Sequence, residues 1–405
     1  MPVTNTSPRI QRLIKELKYD KKNNIDDFIM EIKEKGTPIV ETCEESEEKL
    51  VTFIYIGDGN TEKVLVLGSF PGWDLQENML SQITDTKIFY RTFKTSKKFV
   101  STYRFSINDN HGNNWLERSK RYQSDPYSKS NMRFLTDSEK KEYTTLSVVE
   151  LGLSLNKKQS TAHKVPQGNI RTHEFYSDIL KNTRKIRIYT PSGYSNKGRP
   201  YKVIMSFDGL STLTSLSVND ALDKLIFNKS IEPCVFIGID NVDRMEELVF
   251  NENFNDFIIK ELMPWIKNNF NVSLESRDAT IGGYSLGGLA SLFIALKNPN
   301  LFGNVISMSG AVHSKDPFNS GVHPWFKEKL NEPKTISLNI YMSTGYLEVE
   351  QLLEANRIFK GMLELKGHNV HFHEFQGGHD VVWWREEWIN GLIRLNPKLD
   401  NAKLR

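Results

Sequence analysis

The spacing of apolar residues changes character along the chain. After Ser7-Pro8, residues Ile10, Leu13, Ile14 and Leu17 recur at helical spacing, with Ser7 as N-cap and Pro8 as first helical residue. A second short helical pattern follows. From residue 49 the period drops to two. "KLVTFIYIGDGNTEKVLVLGSF" (49–70) holds two β-rich runs around a Gly/Asn turn, and "TKIFYRTFKTSKKFVSTYRFSIND" (86–109) alternates in the same way. Strands at this spacing, with no helices between them, predict a β-sandwich of about 100 residues. It is expected to close near "SDPYS" (124–128), and the polar stretch "LNKKQSTAHKVPQGN" (155–169) reads as a linker.

Beyond residue 170 strands alternate with helices. The strand candidates are "RKIRIYTP" (184–191), "YKVIMSFDG" (201–209), "CVFIGID" (234–240), "DATIGGY" (278–284), "NVISMSG" (304–310), "LNIYMSTG" (338–345) and "NVHFHEF" (369–375). Helical patterns such as "FNDFIIKELMPWIKNNF" (254–270) separate most of them. Apolar strands alternating with amphipathic helices predict an α/β domain with a mostly parallel sheet and helices on both faces. The expected division is 1–158 for the N-terminal helices and β-sandwich and 159–405 for the α/β domain.

Composition narrows the function. A chain of 405 residues suits about two domains. The net charge is +3, with lysines scattered among acids, so no concentrated basic face points to nucleic acid. The small positive excess suits an anionic small molecule. Two cysteines, Cys43 and Cys234, are expected in different domains, which argues against a disulfide framework and for a reducing compartment. The N-terminus lacks the apolar core of a secretory signal, and no stretch holds 18 consecutive apolar residues. A cytoplasmic protein without a membrane partner is the expectation.

The candidate chemistry lies in "IGGYSLGG" (281–288), where Gly283-Tyr284-Ser285-Leu286-Gly287 fits G-x-S-x-G. The pattern alone is weak, but a strand precedes it and the helical "LGGLASLFIALKNP" (286–299) follows, the context of a nucleophile elbow. A plain glycine-rich turn is the alternative. A nucleophilic serine needs a base and an orienting acid, here expected in loops after later strands. Among His313, His323, His368, His371, His373 and His379, only His379 follows a strand end directly before a helix, in "QGGHD". His371 and His373 share one face of a strand. A metal role for them, perhaps with His368, lacks further ligands of the right type nearby. Glu348, just past "LNIYMSTG", is the candidate acid ahead of Glu350, while Asp380 is too close in sequence to His379 to orient it. The oxyanion donors would be the Leu286 N–H and an amide of Gly209 or Leu210 in "SFDGLSTL" (206–213).

With these residues placed, the chain resembles the enterochelin (enterobactin) esterases of the esterase D-like group. The likeness rests on "LKNTRKIRIYTPSGY" (180–194), "FDG" (207–209), "IDNVDRMEEL" (239–248), "GGYSLGG", "GGHD" (377–380) and the tryptophan-arginine that follows. The N-terminal segment ending in "SDPYS" is similar to that family's immunoglobulin-like domain. The resemblance implies an α/β hydrolase with Ser285 as nucleophile, His379 as base and Glu348 as acid. It implies Arg244 toward an anionic catecholate, with a salt bridge to a neighbouring glutamate as the structural alternative. It also implies Trp384 near substrate, or as a core anchor. Where relatives carry aromatics after "NVISMSG", this chain reads "AVHSKDP", and Trp325 in "VHPWF" is the candidate replacement.

The implied substrate is a catecholate trilactone siderophore, ferric or iron-free. Its iron belongs to the substrate, and the protein needs no cofactor of its own. A feruloyl- or acetyl-type esterase with a carbohydrate-binding β-domain would carry the same triad. A non-catalytic binder on a hydrolase scaffold is the third reading.

Overall fold

The computed structural model describes residues 6–42, 48–69, 76–109, 115–137, 142–152, 165–273, 275–313, 321–333 and 336–396. By their contacts the residues form two compact units.

The first unit comprises Met1–Phe134, Tyr143–Lys157 and Gln376–Val382. Its strands are β1 (Ile39–Thr42), β2 (Glu48–Ile56), β3 (Val64–Gly68), β4 (Ser81–Gln82), β5 (Ile88–Ser96), β6 (Val100–Ile107), β7 (Tyr122–Gln123), β8 (Asn131–Asp137) and β9 (Glu142–Glu150). They form two antiparallel sheets, β1-β2-β5-β4 and β3-β6-β9-β8, with β7 on β6. The chain crosses between sheets at the turns 57–63 and 97–99, so β2 pairs with β5 and β3 with β6. Phe53 of β2 and Tyr103 of β6 meet edge to face across the sheets at 4.7 Å. The sandwich does not close at "SDPYS", because β8 and β9 extend it. The motif is a fastening point instead: buried Asp125 accepts from Tyr103 Oη and Thr37 Oγ1, both at 2.7 Å. The helix Pro8–Glu16 starts as expected, with the Ile10 N–H donating to Ser7 Oγ at 3.1 Å. It and the helix Lys21–Lys35 cover Ile54, Ile83 and Ile88 with Ile10, Leu13, Phe28 and Ile32.

The second unit is built on one eight-stranded sheet. Its strands are β10 (Asn169–Ser177), β11 (Asn182–Thr190), β12 (Lys202–Phe207), β13 (Cys234–Ile239), β14 (Ala279–Tyr284), β15 (Asn304–Met308), β16 (Asn339–Gly345) and β17 (Asn369–Phe375). The order β10-β11-β13-β12-β14-β15-β16-β17, counted within this sheet, is 1-2-4-3-5-6-7-8. Pairing is antiparallel through β10-β11 and β11-β13 and parallel from there on. All six residues of both β13 and β14 are buried, as expected for parallel strands covered on both faces. β10 was not among the expected strands. Most of its side chains are exposed, so it carries no apolar signature, although it pairs with β11 along its whole length. The expected helix over 254–270 is interrupted by a π-helical turn at Phe257–Leu262, just before Pro264, which has no N–H to continue the α pattern. No described helix is long and apolar enough to cross a membrane.

Candidate active site

In a parallel sheet, chemistry gathers beyond the C-terminal ends of the strands. β14 ends at Tyr284, and the helix Leu286–Lys297 begins two residues later. Ser285 alone makes the turn, at φ 56° and ψ −120°, a strained backbone for a residue with a Cβ. Its N–H donates to Met308 O of neighbouring β15 at 2.9 Å, and its carbonyl accepts from the Leu289 and Ala311 N–H groups, each at 3.1 Å. The side chain is half-buried, so it is braced yet reachable.

The surrounding glycines have unequal roles. A Cβ on Gly283 would lie 2.7 Å from the Gly287 carbonyl carbon, and one on Gly288 would lie 2.8 Å from Ser307 Oγ and 3.1 Å from the Gly310 Cα. A Cβ at 283 would clash with backbone, so that position requires glycine, whereas at Gly288 the closest atom is a serine hydroxyl and the backbone would have to give by a few tenths of an ångström. At Gly287 a Cβ would meet Phe207 at an ordinary 3.6 Å, so the second glycine of G-x-S-x-G is the less constrained one.

Beside the elbow runs the turn after β12. Asp208 has φ 53° and ψ 45° and accepts from Asn241 Nδ2 at 2.8 Å. Arg244 clamps it with two bonds, Nε to Oδ1 at 2.7 Å and Nη2 to Oδ2 at 2.9 Å. Burial works against the guanidinium charge, but the Asp208 carboxylate outweighs it and holds the Arg244 pKa above its usual value. The salt bridge anticipated to a glutamate thus goes to Asp208. Arg244 is one-third exposed and its Nη2 lies 3.5 Å from the Tyr284 carbonyl, so it ties the two turns together. Gly209 follows, where a Cβ would stand 2.5 Å from the Gly238 carbonyl carbon. The next amide, Leu210 N–H, donates to Asp240 Oδ1 at 2.8 Å, and Asp240 is itself paired with Arg187.

Trp384 is 6% exposed and stacks on Tyr284 at 4.3 Å with 10° between the rings, while its Nε1 donates to Ser309 Oγ at 3.1 Å. It braces the elbow from the interior. Tyr284 Oη and Ser211 Oγ lie 2.6 Å apart, joining that stack to the Asp208 turn. Trp325 packs edge to face on Phe293 at 4.7 Å and beside Phe250. Phe293 lies seven residues past Leu286, about 10 Å along the helix at 1.5 Å per residue, so Trp325 is anchored well down that helix from the serine. The "AVHSKDP" segment falls largely outside the described residues.

Glu348 lies just beyond the end of β16, 7% exposed, its N–H donating to Gly345 O at 3.2 Å. Glu350 is exposed and opens the helix Glu350–Leu365. Burial separates the two candidate acids. His379 lies four residues past β17, in the loop before the helix Val381–Leu395, and is half-buried. Three of the other histidines hold structural contacts. His323 Nδ1 accepts from Trp325 N–H at 3.2 Å, and His368 Nδ1 from Leu338 N–H at 3.1 Å. His373 meets the Glu387 carboxylate at 3.0 Å on the edge strand. Among the described residues no group of three or more His, Cys, Asp or Glu could hold a metal ion.

Ser285, Glu348 and His379 thus follow the fifth, seventh and eighth strands of the sheet. This is the serine-acid-histidine chain order of α/β hydrolases.

Known proteins agree with this architecture. The chain is 31% identical over 225 residues to an iron(III) enterobactin esterase of Escherichia coli, which is 54% of this chain and 55% of that protein. The match therefore spans about half the relative's length. An iron(III) salmochelin esterase of Escherichia coli is 25% identical over 394 residues, 91% of this chain and 93% of its own. The crystal structure of the enterobactin esterase from Shigella flexneri in the presence of enterobactin superposes with a TM-score of 0.71. It has 22% identity and covers 89% of this chain and 96% of its own. The family model described as "Putative esterase" matches residues 177–395, from the last residue of β10 to the last helix. The chain belongs to that esterase family.

Proposed function

We propose that this protein is a serine esterase that hydrolyses the ester bonds of an enterobactin-like catecholate trilactone siderophore and so releases its iron inside the cell. The observation that carries the chemistry is the strained Ser285 turn, with Glu348 and His379 following the seventh and eighth strands of the same sheet. The likeness to the salmochelin esterase across nine-tenths of the chain supports the substrate class. We also read the two N-terminal sheets as an immunoglobulin-like sandwich, residues 1–158 as that domain, and 159–405 as the catalytic one.

In this reading Ser285 Oγ attacks a lactone carbonyl and its proton passes to His379, whose imidazolium Glu348 stabilises. The Leu286 N–H, at the start of its helix, is one oxyanion donor. Because the Leu210 N–H is engaged by Asp240, the second donor is assigned to Gly209. Collapse of the tetrahedral adduct breaks the C–O bond, and the leaving seryl alkoxide takes the proton from His379. Water, deprotonated by His379, then cleaves the acyl-enzyme. Opening the ring removes the preorganisation that made the trilactone a strong iron chelator. Trp384 is assigned to support of the elbow and Trp325 to packing, while Arg244, one-third exposed, supports the Asp208 turn and keeps its guanidinium open to an anionic catecholate.

Product analysis by liquid chromatography and mass spectrometry tests the reading. Wild type and Ser285→Ala would be given ferric and iron-free enterobactin, methyl ferulate and p-nitrophenyl acetate. Linear dihydroxybenzoyl-serine species that require Ser285 and form faster than products of the simple esters are expected. Rapid cleavage of ferulate with the trilactone left intact would sink the substrate assignment and leave the esterase chemistry standing.

A further inference from the structure

The segment Gln376–Val382 carries His379 and leads out of β17, yet its contacts place it in the N-terminal unit. One side chain hydrogen-bonds it to β6. Asp380 is 4% exposed. Its Oδ2 accepts from the Thr102 N–H at 2.6 Å and lies 3.1 Å from Thr102 Oγ1 and 3.0 Å from Ser101 Oγ, all on β6. Ser101 Oγ is also 2.9 Å from the Thr102 carbonyl, so its single proton serves one acceptor or the other. The Thr102 amide does not depend on that choice. Asp380 Oδ1 accepts from the Val382 N–H at 3.1 Å.

The bond to Val382 alone would be an ordinary helix cap, and caps are usually made at the surface with water completing the carboxylate's hydration. Asp380 has given up that water, which is costly unless donors replace it. The replacements come from two successive residues 278 and 279 positions earlier in the chain. Burial raises the Asp380 pKa, and the bonds from Val382, Thr102 and Ser101 oppose that rise. On the other side of His379 stand Gly377 and Gly378, which impose little backbone preference of their own. Asp380, directly after the histidine, adds a side-chain restraint to this backbone.

We propose that Asp380 is a positioning residue for the esterase reaction, its carboxylate gripped by Thr102 and Ser101 so that β6 of the N-terminal unit fixes the backbone carrying His379. The inference rests on His379 being the catalytic base. It calls for no contact with a large substrate.

The test uses the full chain and a small substrate, p-nitrophenyl acetate, so that siderophore binding is not read. Asp380→Asn keeps an acceptor for Val382 but sets an NH2 group against the Thr102 donors, or the reverse. It is expected to lower kcat by about 10- to 100-fold, the scale of a small misplacement of a reacting group, with KM within about twofold. Thr102→Val should lose several-fold, Thr102→Ser should recover most of that loss, and Asp380→Asn with Thr102→Val should lose no more than Asp380→Asn alone. The histidine limb of the kcat/KM pH profile should move in Asp380→Asn. The proposal is overturned by Asp380→Asn turning over within twofold of wild type while His379→Ala is inactive. It is equally overturned by a loss that matches the folded fraction seen by circular dichroism, with Thr102→Val at the wild-type rate. An active His379→Ala would instead remove the base assignment on which the inference stands.

Discussion

The two loops that carry the proposed nucleophile and base are held in opposite ways. The Ser285 turn is one residue long, lies between interior strands of the sheet, and is fixed by backbone: the Met308 carbonyl, a glycine at 283 that admits no Cβ, and a helix that starts at once. The His379 loop leaves the edge strand β17, contains two adjacent glycines before the histidine, and is fixed by a buried carboxylate reaching β6. A nucleophile can be set by local strain because its task is a single position. A base serves both a serine and, later, a water, and here its placement is delegated to a side-chain contact that substitution can remove one bond at a time. The first arrangement is marked in the sequence by eight consecutive residues. The second is written in two places nearly 280 residues apart.

The largest expected effect lies at the elbow. Ser285→Ala should cost about 10⁴-fold or more in kcat, leaving only the contribution of the oxyanion donors and binding. Ser285→Gly should be as inactive but more stable. A glycine relieves the positive-φ strain, worth roughly 1–3 kcal/mol, against about 0.5–1 kcal/mol of added chain entropy. Thermal denaturation of the three proteins checks this. A Gly variant that melts below Ser285→Ala would show that the turn stores no strain, and the contrast between the two loops would fail.

Next in size is the acid. Glu348→Gln should lower kcat by about 10²-fold or more, since an amide can neither stabilise an imidazolium nor fix its tautomer with certainty. Glu350→Gln should stay within about twofold of wild type, because that side chain is exposed at a helix start. Steady-state rates on p-nitrophenyl acetate decide between them. Equal losses would mean that burial is the wrong criterion for choosing the acid.

What the sequence made legible divides along the same line. β11 through β16 were readable because each carries a run of apolar residues buried on one or both faces, β17 because Val370 and Phe372 alternate with polar residues, and the elbow because its glycines are adjacent to its serine. β10 was not, since an edge strand with exposed polar side chains looks like a linker. Trp384 could be assigned either to substrate or to core, and only its stack on Tyr284, one hundred residues away, distinguishes them. The partner of Arg244 was expected among the nearby glutamates of "DRMEEL", but the turn after β12 brings Asp208 closer. Adjacency to His379 hides the role of Asp380 in the sequence. Its importance lies in Ser101 and Thr102, two small polar residues in a strand with nothing in their spacing to mark them.

The smallest expected effect concerns β17, the strand that delivers the histidine loop. His373 hydrogen-bonds the buried Glu387 carboxylate, which also accepts from Tyr341 Oη at 2.7 Å and Asn390 Nδ2 at 3.2 Å. That bond to Glu387, opposed by partial burial, raises the His373 pKa above the usual 6.5. His371 on the same strand is shifted the other way, by burial and by the charges of Arg394 and His373. For a histidine with a raised folded-state pKa, the stabilisation is complete below the unfolded value and fades as pH rises through the folded one. Wild type should therefore exceed His373→Gln in melting temperature most on the acid side of 6.5, with the gap closing as the solution becomes alkaline. The difference should stay below about 1 kcal/mol, because a half-exposed pair is screened by water. Melting curves recorded across that range check the sign. A gap that widens with pH would mean that His373 pairs with Glu387 as a neutral ring, and the edge strand would then hold its loop without help from charge.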